Sequence, residues 1–212
     1  MPRRSVDAIL EATIQDLLQV GKARLTTTKV ALRAGVSVGT LYQYFPNKSA
    51  LLKAVAKRHM DEVTKAIELA CHQQKGQSLE QMATALMTAF LQAKMKDAKT
   101  SVALYAVSSD VDGAKILQEG GIKVNKAVVA MLQTASDPLT TDPQLVASML
   151  QSVMGGVSRR LLESAAPEKQ FDILRHEMIF LACAYLTARS ANQRSGALNQ
   201  GADINSVFEE HA

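Results

Sequence analysis

Residues 26–48 read Thr-Thr-Thr-Lys-Val-Ala-Leu-Arg-Ala-Gly-Val-Ser-Val-Gly-Thr-Leu-Tyr-Gln-Tyr-Phe-Pro-Asn-Lys, and this stretch decides the fold. It joins two short helical patterns through a tight turn. Thr26 can cap the first helix, because its hydroxyl can accept a bond from an orphan amide of the first turn. Val30, Ala31 and Ala34 form a small apolar stripe that lets a second helix come close. Gly35 readily takes the left-handed conformation that ends a helix. Val36 can plug the gap, and Ser37 is a good N-cap for the next helix. That helix runs from Val38 to Tyr44, anchored by Leu41 and Phe45, four apart on one face. Pro46 breaks the chain, and Asn47 can cap the next helix.

Val38, Gly39, Thr40, Tyr42, Gln43 and Tyr44 are left to face outward. A pair of outward tyrosines is unusual on a solvated helix. A glycine in the first turn costs roughly 1 kcal/mol relative to alanine, which makes sense where backbone must approach a phosphate. The set fits a helix-turn-helix whose second helix enters a major groove. The charge distribution agrees. Residues 1–60 hold ten lysines and arginines against three acids, and the other 152 residues hold fourteen against seventeen. A basic head on a mildly acidic body suggests a polyanionic partner for the head alone.

Ala34-Gly35-Val36-Ser37-Val38-Gly39-Thr40-Leu41-Tyr42 and Tyr44-Phe45-Pro46-Asn47-Lys48, with Ile9-Leu10-Glu11-Ala12 through Leu17-Leu18 before them, resemble the signature of the TetR/AcrR family of transcriptional regulators. The resemblance covers residues 5–58. It implies that Thr26, Tyr42, Tyr44 and Lys48 hold phosphates and that Val38, Gly39, Thr40 and Gln43 face base edges. Thr28 and Ser37 complete the DNA-facing set. Two positions depart from the pattern. Lys22 stands where an aromatic residue usually follows Gly21, and Val38 where a basic residue is common. Val38 can reach a thymine methyl.

The 212 residues are 47% apolar but only 4% aromatic, with no tryptophan. Good helix formers dominate and period-two alternation is scarce, so an all-α protein is expected. The expected architecture is an N-terminal three-helix helix-turn-helix domain, residues 1–48. It is joined to a helical ligand-binding and dimerisation domain, residues 49–192, and a polar tail, 193–212. A long helix should run from Lys48 into the low seventies. Ser78-Leu79-Glu80-Gln81 is a capping box opening a helix to Lys96. Further segments are expected over 101–108, from a cap at Asp112 to Thr134 with a break at Gly120-Gly121, from Asp142-Pro143, and from Pro167 to Asn192. Two cysteines, Cys71 and Cys183, make no disulfide framework and fit a reducing cytoplasm. Pro2-Arg3-Arg4 leads into an amphipathic helix rather than a secretory apolar run. The apolar run Met178–Ala188 is too short to span a membrane.

On the penultimate helix Ser148, Ser152 and Gly156 recur every four residues, a stripe that permits close approach. The last helix is apolar on several sides, including Met178, Ala182 and Tyr185, and so must be buried. A second copy of the chain is expected to cover it, and the resemblance implies a homodimer through these two helices. Met82, Met87, Phe90, Tyr105 and Met131 lie where they could enclose a cavity, and methionine adapts to varied ligands. Plain core is the competing reading of such spacing. An inducer pocket is what the resemblance adds, with a largely apolar effector, Lys94, Lys96 and Lys99 being read as solvated. His59, His72, His176 and His211 have no metal-ligand spacing, although His176 and Asp172 could form a local ion pair. No phosphate loop or catalytic constellation is present, and no cofactor is expected.

The reading is therefore a non-enzymatic, ligand-responsive regulator, a repressor by preference. Its partners would be a double-stranded DNA operator with inverted half-sites and a small-molecule effector. Two alternatives stay open: a redox sensor of the same fold using Cys71 or Cys183, and a helical small-molecule carrier with a vestigial head.

Overall fold

The structure, a computed structural model, describes residues 2–108 and 111–191. The expected tail, 193–212, and His211 lie outside the described residues. Within them the chain forms α1 (Pro2–Arg24), α2 (Thr27–Arg33), α3 (Val38–Tyr44), α4 (Lys48–Gln73), α5 (Leu79–Met95), α6 (Ala98–Val107), α7 (Gly113–Leu132), α8 (Pro143–Leu162) and α9 (Pro167–Thr187). The all-α expectation holds. The one extended pairing among these residues is an isolated bridge between Leu139 and Ser190.

Local chemistry sets most of the boundaries. Thr26, Ser37, Asn47 and Ser78 accept bonds from the amides of Lys29, Thr40, Ala50 and Gln81. At Ser78 the capping box is complete. Asp142 caps α8 through the Gln144 amide, with Pro143 in the first turn. α2 ends at Gly35, whose φ of 67° is the left-handed conformation that favours glycine. α1 is interrupted at Gly21 (φ 71°, ψ 168°), a backbone setting that a side chain would strain. After it the chain turns so that the Leu25 amide donates to the Gly21 carbonyl at 3.2 Å.

Four expectations about elements are corrected. α6 starts at Ala98 rather than Ser101, because Asp97 takes the Thr100 amide and hydroxyl. Asp112 precedes α7 but makes no side-chain cap; its carboxylate pairs with Lys53 at 3.3 Å. α7 is not broken at Gly120-Gly121. A Cβ on Gly120 would meet Thr64 Oγ1 at 3.2 Å, so the glycine marks where α7 crosses α4 closely. α9 ends at Thr187, short of Asn192.

Two apolar clusters divide the interior. One gathers Ile9 and Leu17 of α1, Val30 of α2, Leu41 of α3, Leu51 and Val55 of α4, and Leu104, Val107 and Ile116 from α6 and α7. The other gathers the far half of α4 with α5, α7, α8 and α9. α4 contributes to both, so the helix-turn-helix and the body share one continuous rod of 26 residues.

Candidate DNA-binding face and regulatory cavity

α3 is held from below and open above. Leu41 is fully buried and Phe45 nearly so, whereas Val38, Tyr42 and Tyr44 are exposed at 36%, 47% and 37%. Gly39 and Gln43 share that open face, and Thr40 is half-buried. Ser37 Oγ accepts from the Thr40 amide and lies 2.8 Å from the Thr40 hydroxyl, tying the first turn into a rigid edge. A Cβ on Gly39 would meet only Ser37 Oγ, at 3.7 Å. The protein's own packing therefore does not require glycine there.

The α2 side supplies the other wall. Thr26 and Thr28 are exposed. Thr27, which the sequence reading passed over, lies 2.9 Å from the Tyr42 hydroxyl and fixes that ring at the α2–α3 seam. Its signal was three consecutive threonines, of which spacing could not say which one faced α3. Lys29 is also exposed on α2 and was not singled out. Lys48 is half-buried, and its ammonium donates to the Lys22 carbonyl at 2.5 Å. In this structure it braces the end of α1. Arg33 ties α2 to α1 through Asp16, 2.6 Å away and nearly buried, and through Gln19.

The body contains a partly open cavity of about 60 Å³ bounded by α4, α5, α6 and α7, with Leu162 of α8. Ala56, Met60, Leu104, Ile116, Leu117 and Leu162 line its apolar part, and His59, Lys94, Ser101 and Tyr105 its polar part. His59 Nε2 is 3.1 Å from Ser101 Oγ, and that hydroxyl donates to the Lys94 carbonyl. Burial, assisted by the nearby Lys94 charge and opposed by Asp97, holds the His59 pKa down to about 4. Tyr105 forms the lip, its hydroxyl donating to Glu163 at 2.7 Å, with Arg159 on the same carboxylate oxygen. A larger groove of about 940 Å³ between α4, α5 and the start of α9 is more open to solvent, and Glu62, Lys65, Gln73, Gln92, Lys96 and Glu168 line it, cations and carboxylates together.

This placement corrects the expected pocket. Met82, Met87, Phe90 and Met131 are buried in the second apolar cluster, where they pack as core. Tyr105 alone of the five lines the cavity. Lys94, expected to be solvated, is mostly withdrawn from water, which lowers its pKa to about 8. Lys96 and Lys99 are exposed.

The expected assembly residues separate in the same way. Ser148, Ser152 and Gly156 lie exposed on α8, and a Cβ on Gly156 would meet nothing within 4 Å. Met178 and Ala182 instead point into the protomer's own core, and Tyr185 is half-buried against it. The apolar residues that α9 leaves outward are Ile173, Phe180 and Leu181. Asp172 pairs with Arg175, not His176. Cys71 is buried, and burial together with Glu68 pushes its thiol up to about 12, while Cys183 is half-buried. Among the described residues no cluster of histidine, cysteine or carboxylate could hold a metal, and no helix is long and apolar enough to cross a membrane.

Comparison with known proteins agrees with this geometry. Residues 9–55 match the family model for bacterial regulatory proteins of the tetR family, and residues 78–186 match the tetracyclin repressor-like C-terminal domain. The nucleoid occlusion factor SlmA of Haemophilus ducreyi is 35% identical over 72 residues, which cover 32% of this chain and 36% of that protein. The HTH-type transcriptional regulator BetI of Stenotrophomonas maltophilia is 31% identical over 72 residues, covering 32% and 37%. The matched segments thus span little more than a third of these relatives. Among solved structures, a TetR-family regulator from Mesorhizobium loti has a TM-score of 0.72 at 18% identity, covering 90% of this chain and 99% of that one. SmeT, the repressor of the Stenotrophomonas maltophilia multidrug efflux pump SmeDEF, has a TM-score of 0.61 at 21% identity, covering 87% and 89%. The structural likenesses show the fold, and the C-terminal model alone takes in more than half of the 212 residues. With a helix-turn-helix at one end and a matching regulatory body at the other, the chain belongs to the TetR family of transcriptional regulators.

Proposed function

We propose that this regulator is a homodimeric repressor. Two α3 faces would bind the inverted half-sites of a double-stranded operator, and an effector in the α4–α7 cavity would release them. The observation that carries the reading is the α3 face itself. Hydroxyls, an amide and two aromatic rings stand exposed on a helix whose opposite side is anchored by fully buried Leu41. Val38, Gly39, Thr40 and Gln43 would meet base edges, and Thr26, Thr28, Tyr42 and Tyr44 the flanking phosphates.

The coupling runs through α4. Asn47 caps it beneath the head, and Ala56, His59 and Met60 form one wall of the cavity. Eleven residues separate Lys48 from His59, roughly 16 Å along a helix. A ligand that displaces this wall would reorient the head as a lever, giving the differential contacts that a coupling free energy requires.

The exposed sides of α8 and α9 support dimerisation. Leu145, Met149, Ile173, Phe180 and Leu181 are each about half or more exposed. The Ser148 and Ser152 hydroxyls donate back to the Gln144 and Ser148 carbonyls of their own helix. The stripe thus offers a smooth, hydrogen-bonded surface to a neighbour. Ser152→Leu with Gly156→Leu should yield a monomer by light scattering with helical circular dichroism retained, since overpacking a tight contact costs about 1–3 kcal/mol per site. A dimeric double variant would move the interface elsewhere. Selection of bound fragments from the source genome, followed by anisotropy titration, tests operator binding. No enrichment over a non-specific duplex would overturn the reading.

A further inference from the structure

Lys94 is the feature of the body that the fold does not explain. It extends from α5 beside the cavity, and among the described residues the hydrogen-bond partner of its ammonium is Met60 Sδ at 3.6 Å. Among those residues it forms no ion pair. Withdrawing a cation from water without a counter-ion is costly, and the described residues do not offset that cost.

The surrounding groups narrow the chemistry of a partner. The titratable groups around Lys94 are His59 from α4, with Asp97 acting on it from the N-cap of α6, and, at the lip, Tyr105 from α6 with Arg159 of α8 and Glu163 just after it. α7 contributes only Gly113, Ile116 and Leu117. His59 is neutral at physiological pH and already shares the Ser101 hydroxyl. Glu163 is engaged outside the lip by Tyr105 and Arg159. No carboxylate of the described residues therefore faces the ammonium within the cavity, and one wall is aliphatic. The volume of about 60 Å³ holds only a few atoms. Met60 is an unbranched side chain that can move to enlarge it.

We propose that the cavity takes a small carboxylate with an apolar body, its anionic head on Lys94 Nζ and its tail against Met60, Leu104 and Leu117. This rests on reading the cavity as the effector site and assigns the effector's class. The head completes an ion pair that is partly sheltered from solvent, so it gains more than a fully exposed pair would. The neutral isostere leaves the ammonium unpaired.

The test is calorimetric titration of the wild-type protein with hexanoate and benzoate, against hexanamide and benzamide, at pH 7. The carboxylates should bind at least roughly tenfold more tightly than the amides, the ratio that one charge-assisted bond supplies. Lys94→Met should abolish that preference, and Lys94→Arg should retain part of it, with folding checked by circular dichroism. Because free Lys94 loses its proton near pH 8, carboxylate affinity should fall above that point, in total by about the factor that separates the acids from the amides. Amides that bind as tightly as the acids, carboxylate binding unchanged in Lys94→Met, or no carboxylate binding to the wild type would each overturn the proposal. Operator titration in the presence of carboxylate separates the two readings. Carboxylate binding at Lys94 that leaves operator affinity untouched keeps the anion site and sinks its role as effector site.

Discussion

The α3 face and the α4–α7 cavity solve opposite problems. On α3 the polar groups stand in water, and their hydroxyls are tied to each other, Ser37 to Thr40 and Thr27 to Tyr42. Nothing charged is hidden there. In the cavity a lysine and a histidine are withdrawn from water, and each loses basicity for it. The head can be ready for a partner at little cost to the fold. The body holds a latent cost that a ligand could relieve. Binding at the head should thus depend on surface electrostatics and salt, whereas binding in the body should depend on pH and burial.

The sharpest way to break this comparison is through His59. Unfolded, it takes up a proton near pH 6.5; folded, it does so only near pH 4. Between those values the unfolded chain binds more protons, so stability is full above about 6.5 and falls as the pH drops toward 4. The loss reaches about 3 kcal/mol at the acid end, at roughly 1.4 kcal/mol per pH unit between the two values. Urea denaturation at pH 7 and pH 4.5 should show a steeper loss for the wild type than for His59→Gln. Parallel losses in the two proteins would place the histidine in water and undo the contrast.

The same contrast explains what could be read in advance. The caps at Ser37, Asn47, Ser78 and Asp142 are local events, each a side chain reaching two or three residues along its own chain. Spacing identifies them directly. The α3 face was legible for the same reason, since its anchor and its open side sit on seven consecutive residues. Lys94, Lys96 and Lys99 look alike as letters, and only the placement of α5 against α4 and α6 buries the first of them. α9 is apolar on several sides, so periodicity could not say that Met178 and Ala182 turn inward while Phe180 and Ile173 turn outward. Met87 and Phe90 were correctly placed inside, but a period distinguishes inside from outside and not core from cavity. Gly120 carried the usual sign of a helix break, while its cause is a neighbouring helix 56 positions earlier in the chain, at Thr64.

A smaller effect with opposite signs in the two assays comes from Gly39. It is exposed, its backbone is helical, and a Cβ there meets only an ordinary contact. Gly39→Ala should therefore stabilise the free protein by roughly 0.5–1 kcal/mol, the propensity difference. If the open backbone is kept for a close approach to DNA, the same change should weaken operator binding. A variant that melts higher and binds the operator as the parent does would show that the glycine is not reserved for DNA.

The least disruptive probe is Tyr42→Phe, which removes one oxygen. In the free protein that oxygen meets Thr27 Oγ1 at the solvent-exposed seam, so thermal stability should change by no more than about 1 kcal/mol, the net worth of one such bond. Binding should suffer more than folding, because the hydroxyl is assigned to a phosphate and its ring loses its tether. The phosphate assignment makes a further demand. The loss should be nearly the same on operator and on non-specific duplex, since a phosphate contact carries no sequence information. The salt slope should stay put, because a neutral hydroxyl releases no counter-ion. A loss confined to the operator would move Tyr42 from the backbone to the bases. That outcome would give the open face of α3 one more reader of sequence than the proposed four.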